Sequence, residues 1–143
     1  MGVASTFRDL NVCKLASKAA AEIYGLTKAF PKEELFSLTD QIRRSSRASK
    51  AMIAEAWARR RYKAVFINKI DEALGEATET QSWLDDALRC RYLTTEKYAK
   101  LEADYRSITA MLSRMIDRAS DFCKNAPYVD YRVRDELSEA DEV

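Results

Sequence analysis

Apolar residues recur at steps of three and four along most of the chain, which is the spacing of one face of an α-helix. The longest such run lies near the C-terminal end and comprises Tyr98, Leu101, Tyr105, Ile108, Leu112, Met115, Ala119 and Phe122. It predicts a helix over about 95–123, with Thr94 or Thr95 as its N-cap and both tyrosines in the core. Other runs predict helices over about 9–29, 32–60 and 62–91.

The first two predicted helices are separated by Pro31, which fits a helix start because its missing amide would be unpaired there. Asp9 or Asn11 could cap the first helix, and its apolar stripe is Val12, Ala16, Ala19, Ile23, Leu26 and Phe30. The second stripe is Leu35, Leu38, Ile42, Ser45, Ser46, Ser49, Met52, Ile53 and Ala56. Its serines could mark a close helix crossing, inside the bundle or between subunits, or could bond to their own helix carbonyls.

The start of the third helix has no turn signal, because Trp57 to Lys63 contains neither glycine nor proline, so the pattern also fits a continuous or kinked helix here. Its stripe is Phe66, Ile70, Ala73, Ala77, Leu84 and Leu88, with Gln81 as a polar interruption. Gly75 lowers helix propensity by about 1 kcal/mol relative to alanine, so we expect a close packing contact there.

Composition supports a fold made of helices alone. Only 3 glycines and 2 prolines occur in 143 residues, fewer than the turns of a sheet-rich fold require. We therefore predict one all-α domain over 1–123, an antiparallel up-down-up-down four-helix bundle. Residues 124–143 form an acidic C-terminal segment that we expect to be mobile.

Candidate chemistry is sparse. Histidine is absent, and the 3 cysteines, Cys13, Cys90 and Cys123, form no C-x-x-C pair. We expect no metal, no cofactor and no enzymatic activity, with the cysteines buried and reduced. No segment is apolar enough to span a membrane, so we expect no membrane association and a cytoplasmic location.

Positive charge is concentrated in the second predicted helix. From Lys32 to Lys63, nine basic and four acidic residues give a net charge of +5, whereas Ala64 to Arg91 carries −3. The candidate nucleic-acid-binding residues are Arg43, Arg44, Arg47, Lys50, Arg59, Arg60, Arg61 and Lys63. They could neutralise phosphates, or they could be solvated or pair with Asp71, Glu72, Glu76 and Glu79 of the next helix.

Several motifs resemble a known bacterial family. Four segments follow one another at the family's spacings: Phe7-Arg8-Asp9-Leu10, Phe30 to Leu35, Gln41-Ile42-Arg43-Arg44-Ser45 and Ile53-Ala54-Glu55. Ala73-Leu74-Gly75, Glu79 and Tyr92-Leu93-Thr94 also fit. Together they resemble the four-helix bundle proteins encoded by intervening sequences in 23S ribosomal RNA genes. Residues 48–52 and Ala56 depart from the family pattern, which usually has a proline, an asparagine and a glycine in this region.

The resemblance implies an assembly. Related bundles, including the distantly similar accessory variability protein of diversity-generating retroelements, form ring-like homopentamers. That relative binds nucleic acid and a reverse transcriptase, whereas the intervening-sequence proteins have no firmly assigned activity. By this analogy, possible partners are further copies of the chain, RNA or DNA, and a protein such as a reverse transcriptase.

These observations favour a non-enzymatic oligomer that binds RNA or DNA nonspecifically through the second helix. The rival hypothesis is a protein-interaction or scaffold module without nucleic-acid binding. An enzyme would need convergent carboxylates such as Glu55 and Glu79. We instead expect Glu55 to be a buried partner of Arg43 or Arg44.

Overall fold

The computed structural model describes residues 4–124 and residue 126, and every regular element in this part of the chain is helical. Two 3₁₀ turns, Phe7–Asp9 and Lys32–Glu34, precede the first two α-helices. The helices are α1 Asn11–Thr27, α2 Leu38–Ala58, α3 Lys63–Arg89, α4 Thr95–Asp117 and α5 Ala119–Cys123. Apart from Lys124 and Ala126, the predicted acidic segment lies outside the described residues.

The four long helices form a bundle in which each helix packs against the next and α4 packs against α1. Short connections place successive helices antiparallel. The core is continuous and includes Ile23 from α1, Ile53 from α2, Phe66 from α3 and Leu101 from α4, all of them buried. Burial of these apolar faces, at about 25 cal/mol per Å², is the main favourable contribution to folding.

The predicted start of α1 was wrong in its capping residue. Leu10 occupies the N-cap position and makes no capping hydrogen bond through its side chain. The Asp9 carboxylate instead accepts hydrogen bonds from the backbone amides of Ser5 and Thr6, at 2.8 and 3.0 Å, and so caps the preceding 3₁₀ turn. These amides hold the pKa of Asp9 below its usual value.

Helix α2 begins six residues later than predicted, at Leu38. Pro31 starts a single 3₁₀ turn, and Ser37 then has a non-helical backbone (φ −125°, ψ −103°) that separates this turn from α2. Leu35 was expected in the apolar stripe, but it is 46% exposed, and the adjacent Phe36 is 90% exposed. Phe30 fills the core at this end, with its ring 5.3 Å from that of Tyr92.

A turn separates α2 from α3, so the two do not form one continuous helix. Without glycine or proline, the carbonyls at the end of α2 are satisfied by two arginine side chains. The Arg60 guanidinium donates to the Trp57 carbonyl at 2.8 Å, and that of Arg61 donates to the Ala58 carbonyl at 3.1 Å. Cations at a helix C-terminus also interact favourably with its dipole.

The serines of α2 lie at a close crossing inside the bundle, against α3. Ser45 and Thr80 share a hydrogen bond of 2.7 Å between their hydroxyl groups, and the Ser49 hydroxyl donates to the Ala73 carbonyl at 3.4 Å. Ser46 follows the other reading and donates to the Arg43 carbonyl of its own helix, at 3.1 Å. The Ser45 hydroxyl is also 3.4 Å from the Ile42 carbonyl of its own helix, so close packing against α3 and bonding to the helix's own carbonyls both occur in this stretch.

Helix α3 turns slightly different residues into the core than predicted. Thr80 and Ala87 are buried, whereas Leu88 is only partly buried. The polar position Gln81 lies at the edge and donates to Glu102 at 3.3 Å. The close contact expected at Gly75 is wrong, because a Cβ atom added there would have no neighbour within 4 Å.

The predicted fourth helix is confirmed in its seam and its cap. Thr94 accepts a hydrogen bond from the Lys97 amide at 3.2 Å, and Tyr105 is fully buried as expected. The helix is not continuous to residue 123, because Arg118 (φ −108°, ψ 27°) separates α4 from α5. Helix α5 packs the Phe122 ring against that of Phe66, with 5.9 Å between the ring centroids.

Candidate nucleic-acid interface

Three cations surround one aromatic ring on the α1–α2 side of the bundle. Lys28 Nζ, Arg43 Cζ and Arg47 Cζ lie 4.9, 4.8 and 5.0 Å from the centroid of the Tyr24 ring. Lys28 is the C-cap residue of α1, with helical backbone angles, and follows Tyr24 by four residues, whereas Arg43 and Arg47 are four residues apart on α2. Residues at this spacing share a helix face, and the antiparallel packing brings the two pairs together. We call these four residues the Tyr24 cluster.

Hydrogen bonds fix one of these cations in place. Arg43 Nε donates to the hydroxyl of buried Thr27 at 2.8 Å, and that hydroxyl donates to the Tyr24 carbonyl at 3.0 Å. Tyr24 itself remains 40% exposed, and Lys28 and Arg47 are exposed. The cluster is therefore a partly ordered cationic surface with an accessible ring in its centre.

The charge of the Tyr24 cluster is not neutralised within the described part of the chain. Across residues 4–124 and 126, none of the ion pairs involves Lys28, Arg43 or Arg47. Cation–π contact with Tyr24 offsets part of the repulsion among the three cations, by about 0.5–1 kcal/mol for each exposed contact. The cluster keeps a local excess of positive charge that an anion would stabilise.

Arg44 lies on another side of α2, although it is next to Arg43 in sequence. Its guanidinium is 4.0 Å from the Asp40 carboxylate, and its charge acts on Glu76 of α3. Burial raises the pKa of Glu76, a hydrogen bond to the Glu79 carboxylate and the negative charge of Glu79 raise it further, and the charge of Arg44 lowers it. Among the described residues, none of the ion pairs joins an arginine of α2 to Asp71, Glu72, Glu76 or Glu79, so the expected pairing with α3 is reduced to this electrostatic effect of Arg44 on Glu76.

The arginines at the end of α2 form a separate basic surface. They lie about 20 Å along the helix from the Tyr24 cluster, at 1.5 Å per residue. Arg60 stacks on Trp57 with its Cζ 3.8 Å from the ring centroid, and Arg61 Cζ is 4.9 Å from the Tyr62 centroid. Burial lowers the pKa of Arg60. These contacts give the two side chains a structural role in the turn.

The remaining predicted cations, Lys50 and Lys63, lie near the Tyr24 cluster and near the end of α2, respectively. Lys50 is partly buried and lies one turn beyond Arg47 on α2. Lys63 begins α3 and donates to the Ser120 hydroxyl of α5 at 2.6 Å. The structure thus divides the eight predicted residues among the Tyr24 cluster with Lys50, the acidic α2–α3 side with Arg44, and the turn with Arg59 to Lys63.

Sequence reasoning missed Tyr24 and Lys28. Both residues lie outside the basic segment from Lys32 to Lys63, in which the sequence pattern placed all the candidate residues. The available signal was the i,i+4 pair of an aromatic residue and a cation on the outer face of α1. Its meaning depends on the register of α1 against α2, which the sequence pattern does not fix.

The expected burial of Glu55 against Arg43 or Arg44 is wrong. The Glu55 side chain is 52% exposed and lies 3.6 Å from Lys69 Nζ, which also pairs with Glu72 at 3.2 Å. Glu79 lies ten residues beyond Lys69 on α3, about 15 Å along the helix. The two carboxylates therefore do not converge in one pocket.

The other motif residues have ordinary roles in the bundle. Ile42 and Ile53 are in the core. Ala54 is partly buried, and Gln41 lines a surface groove beside Trp83. Arg43 of the same motif segment is a member of the Tyr24 cluster.

The cysteines are not uniformly buried as expected. Cys13 is buried, Cys123 is partly buried and Cys90 is exposed, and all three are free thiols. Burial raises the pKa of Cys123. Within residues 4–124 and 126, no three histidine, cysteine or acidic side chains are grouped closely enough to hold a metal ion. No helix in the same range is long and apolar enough to cross a membrane.

Comparison with known proteins agrees with this fold. The sequence profile of the family described as 23S rRNA-intervening sequence protein matches residues 8–114. The chain belongs to this family. The matched segment contains α1 to α3 and most of α4. Comparison with curated proteins gives no match.

A solved structure supports the same assignment. It is a protein of unknown function from the S23 ribosomal protein family of Bacteroides thetaiotaomicron, with 34% sequence identity and a TM-score of 0.68. The match covers 74% of this chain and 95% of that chain. Fold similarity does not by itself identify an activity, so function must be argued from surface chemistry.

Proposed function

We propose that this chain is a non-enzymatic, homo-oligomeric bundle that binds RNA or DNA nonspecifically through the Tyr24 cluster, with Lys50 extending the surface. The observation that carries the proposal is the gathering of three cations around one exposed ring without a carboxylate partner among the described residues. Phosphates would neutralise these cations, and counterion release would favour binding.

Tyr24 adds a second element to this surface. An exposed aromatic ring can stack on a nucleotide base, a contact that contributes about 1–3 kcal/mol and depends little on base identity. The surrounding guanidinium groups can contact the phosphates on either side. Contacts to phosphates and to the face of a base carry little sequence information, so binding through them would be nonspecific in sequence.

Assembly would strengthen a surface of this size. A ring-like homopentamer, as the family resemblance implies, would repeat the Tyr24 cluster five times, and several weak phosphate contacts on one strand would combine through avidity. Arg44 and the surface from Arg59 to Lys63 could then extend the path of the strand. A reverse transcriptase remains a possible protein partner by distant analogy only.

Titration of labelled single-stranded RNA at several salt concentrations tests the proposal. Lys28→Ala/Arg47→Ala removes two exposed cations without disturbing Arg43 and its hydrogen bond. We expect weaker binding and a salt slope lower by about 1.4, since each lost phosphate contact lowers it by about 0.7 for a single strand. Fluorescence anisotropy measures both quantities.

The matched control is Lys97→Ala/Arg106→Ala, which removes the same charge from exposed positions on α4. It should retain the wild-type salt slope. If the two double variants lose the same RNA affinity and salt slope, net charge alone determines binding, which would contradict a specific role for the Tyr24 cluster. Absence of RNA binding by the wild-type chain would reject the function itself.

A protein-interaction module is the second candidate, and one observation favours it: Phe36 is 90% exposed at the surface. Exposed aromatic residues are enriched at protein interfaces. In this reading the cations of the Tyr24 cluster would bind an acidic protein surface. Capture of a protein after nuclease treatment, lost in Lys28→Ala/Arg47→Ala, would support it.

A further inference from the structure

The turn before α2 exposes two large apolar side chains, and we call Leu35 and Phe36 the Phe36 knob. Phe36 is 90% exposed and Leu35 is 46% exposed. The turn is held by backbone hydrogen bonds from Glu34 to Pro31 at 3.0 Å and from Leu35 to Lys32 at 3.1 Å. The Ser37 hydroxyl also donates to the Glu34 carboxylate at 2.8 Å. A knob held in this way loses little conformational entropy when it binds.

The opposite end of the bundle contains a pocket of about 310 Å³, which we call the end pocket. It lies between the N-terminus of α1 and the C-terminal ends of α4 and α5. Its apolar lining comprises Leu10, Val12, Met111, Met115 and Phe122. Arg114 and Arg118 complete its wall and are exposed.

The end pocket is large enough for the Phe36 ring. A cavity of roughly 150 Å³ lined by apolar side chains suffices to hold benzene, and the end pocket has about twice that volume. An aromatic side chain seated in an apolar pocket is also the usual anchor of a protein interface. The size and the apolar lining of the end pocket therefore match the Phe36 ring.

The net charges around the knob and the pocket are opposite in sign. Lys32, Glu33 and Glu34 directly precede the Phe36 knob and sum to −1, whereas Asp9, Arg114 and Arg118 line the end pocket and sum to +1. Neither arginine takes part in an ion pair with any of residues 4–124 or 126. The pocket also contains Asp9, but its carboxylate accepts hydrogen bonds from the Ser5 and Thr6 amides.

We infer that the Phe36 knob of one copy inserts into the end pocket of a second copy, with Glu33 and Glu34 facing Arg114 and Arg118. Knob and pocket lie at opposite ends of the bundle, so the contact is head-to-tail. A contact of this type generates a ring if the rotation closes and an open filament if it does not. The inference deepens the proposed function, because it rests on the self-association that the function includes.

A two-fold pairing through the knob is the main structural alternative. The groove beside Phe36, of about 620 Å³, is lined by Trp83 and could receive the knob of a symmetry-related copy. This groove also contains Glu34 and Asp86, and Arg89 already pairs with Asp86 at 3.4 Å. Acidic residues beside the knob would then meet acidic residues in the groove, and the repulsion favours the end pocket.

Sedimentation velocity of the full chain tests the contact. Phe36→Ala removes the knob, and Arg114→Glu/Arg118→Glu reverses the charge of the pocket. All three residues are exposed, so we expect both variants to fold, which circular dichroism checks. We expect each to weaken self-association at least roughly thirtyfold, the effect of losing an interface hot spot. Lys97→Ala/Arg106→Ala should assemble as the wild type does.

Mixing the two variants distinguishes the head-to-tail contact from a two-fold one. Phe36→Ala retains its pocket and Arg114→Glu/Arg118→Glu retains its knob, so an equimolar mixture can form one good contact and should give a heterodimer. A two-fold contact between knobs predicts no such recovery. A monomeric wild type, or assembly unchanged in both variants, would overturn the inference.

These results also separate the interface from the proposed function. If the Phe36 and arginine variants assemble normally but Lys28→Ala/Arg47→Ala loses RNA, the interface fails and the nucleic-acid surface stands. If Phe36→Ala prevents assembly while Lys28→Ala/Arg47→Ala binds RNA as the wild type does, the proposed function is rejected and the proposed interface is supported.

Discussion

Neighbouring residues of α2 acquire different roles because a helix turns by about 100° at each residue. Arg43 therefore reaches α1 and donates to Thr27, whereas Arg44 is directed toward Asp40 and Glu76. One side chain enters a cationic cluster and the other an acidic surface. A count of charges along the helix cannot distinguish them, so the unit of function is the residue and its neighbour across the helix pair.

Tyr98 illustrates how one contact links residue chemistry to stability. Its hydroxyl donates to the Asp85 carboxylate at 2.6 Å and ties α4 to α3. This hydrogen bond, with burial and the negative charge of Asp85, raises the pKa of Tyr98 from 10.0 to about 12. The protonated phenol is thus favoured in the folded state more than in the unfolded chain.

The shift predicts a loss of stability in alkali. Because the folded-state pKa is above the unfolded value, the stabilisation is complete below pH 10 and is lost as pH rises toward about 12. Urea unfolding between pH 8 and 11.5 should show a steeper decline for the wild type than for Tyr98→Phe. Parallel curves would indicate that the Tyr98 hydroxyl is bonded equally in both states.

At the scale of helices, the sequence pattern predicts best where packing alone decides. The seam of α4 follows from apolar spacing, and Thr94 caps it as expected. The pattern fails where local turn chemistry competes with helix formation. Pro31 to Ser37 contains good helix formers, yet burial of Phe30 against Tyr92 accompanies a 3₁₀ turn and exposes Leu35 and Phe36.

The same distinction applies to the candidate site. The sequence identified α2 as the basic element, because charge is a property of composition. It could not identify Tyr24 and Lys28, because their role depends on the register between α1 and α2. It also placed Glu55 beside an arginine, whereas the register of α2 against α3 brings Lys69 there.

Gly75 gives a prediction about α3. It lies in the helix interior, has no positive φ, and has open space where a Cβ would be. Gly75→Ala should therefore raise the free energy of unfolding by about 0.5–1 kcal/mol, because alanine loses less backbone entropy on folding. Chemical denaturation measures the change.

Gly25→Ala is the matched control for Gly75→Ala. Gly25 also has no neighbour within 4 Å of an added Cβ, but it lies in the last turn of α1. Helix ends fray, so we expect a smaller gain there. Destabilisation by Gly75→Ala would show that the exposed face of α3 packs against something beyond the single chain.

At the scale of the whole molecule, the proposed surfaces lie in different places and can be varied separately. The Tyr24 cluster lies on the side of the bundle formed by α1 and α2, near the end that carries the Phe36 knob, and the end pocket lies at the opposite end. A head-to-tail contact through the ends would leave the side surfaces accessible. Assembly could then repeat the cluster without covering it.

This arrangement predicts that the effect of assembly on RNA binding depends on RNA length. A long strand can contact several clusters of one assembly, whereas an oligonucleotide that spans a single cluster cannot gain from avidity. Phe36→Ala should therefore weaken binding of long single-stranded RNA by at least about tenfold, because weaker assembly loses part of an avidity gain of roughly 100- to 10,000-fold. Binding of the short oligonucleotide should be unchanged, since Phe36 is absent from the Tyr24 cluster.

Anisotropy titrations of both RNAs test whether assembly strengthens binding. Lys28→Ala/Arg47→Ala is the control variant, which should weaken binding of both RNAs. Equal weakening of the two RNAs by Phe36→Ala would mean that Phe36 itself contacts RNA, and the coupling between assembly and binding would be rejected.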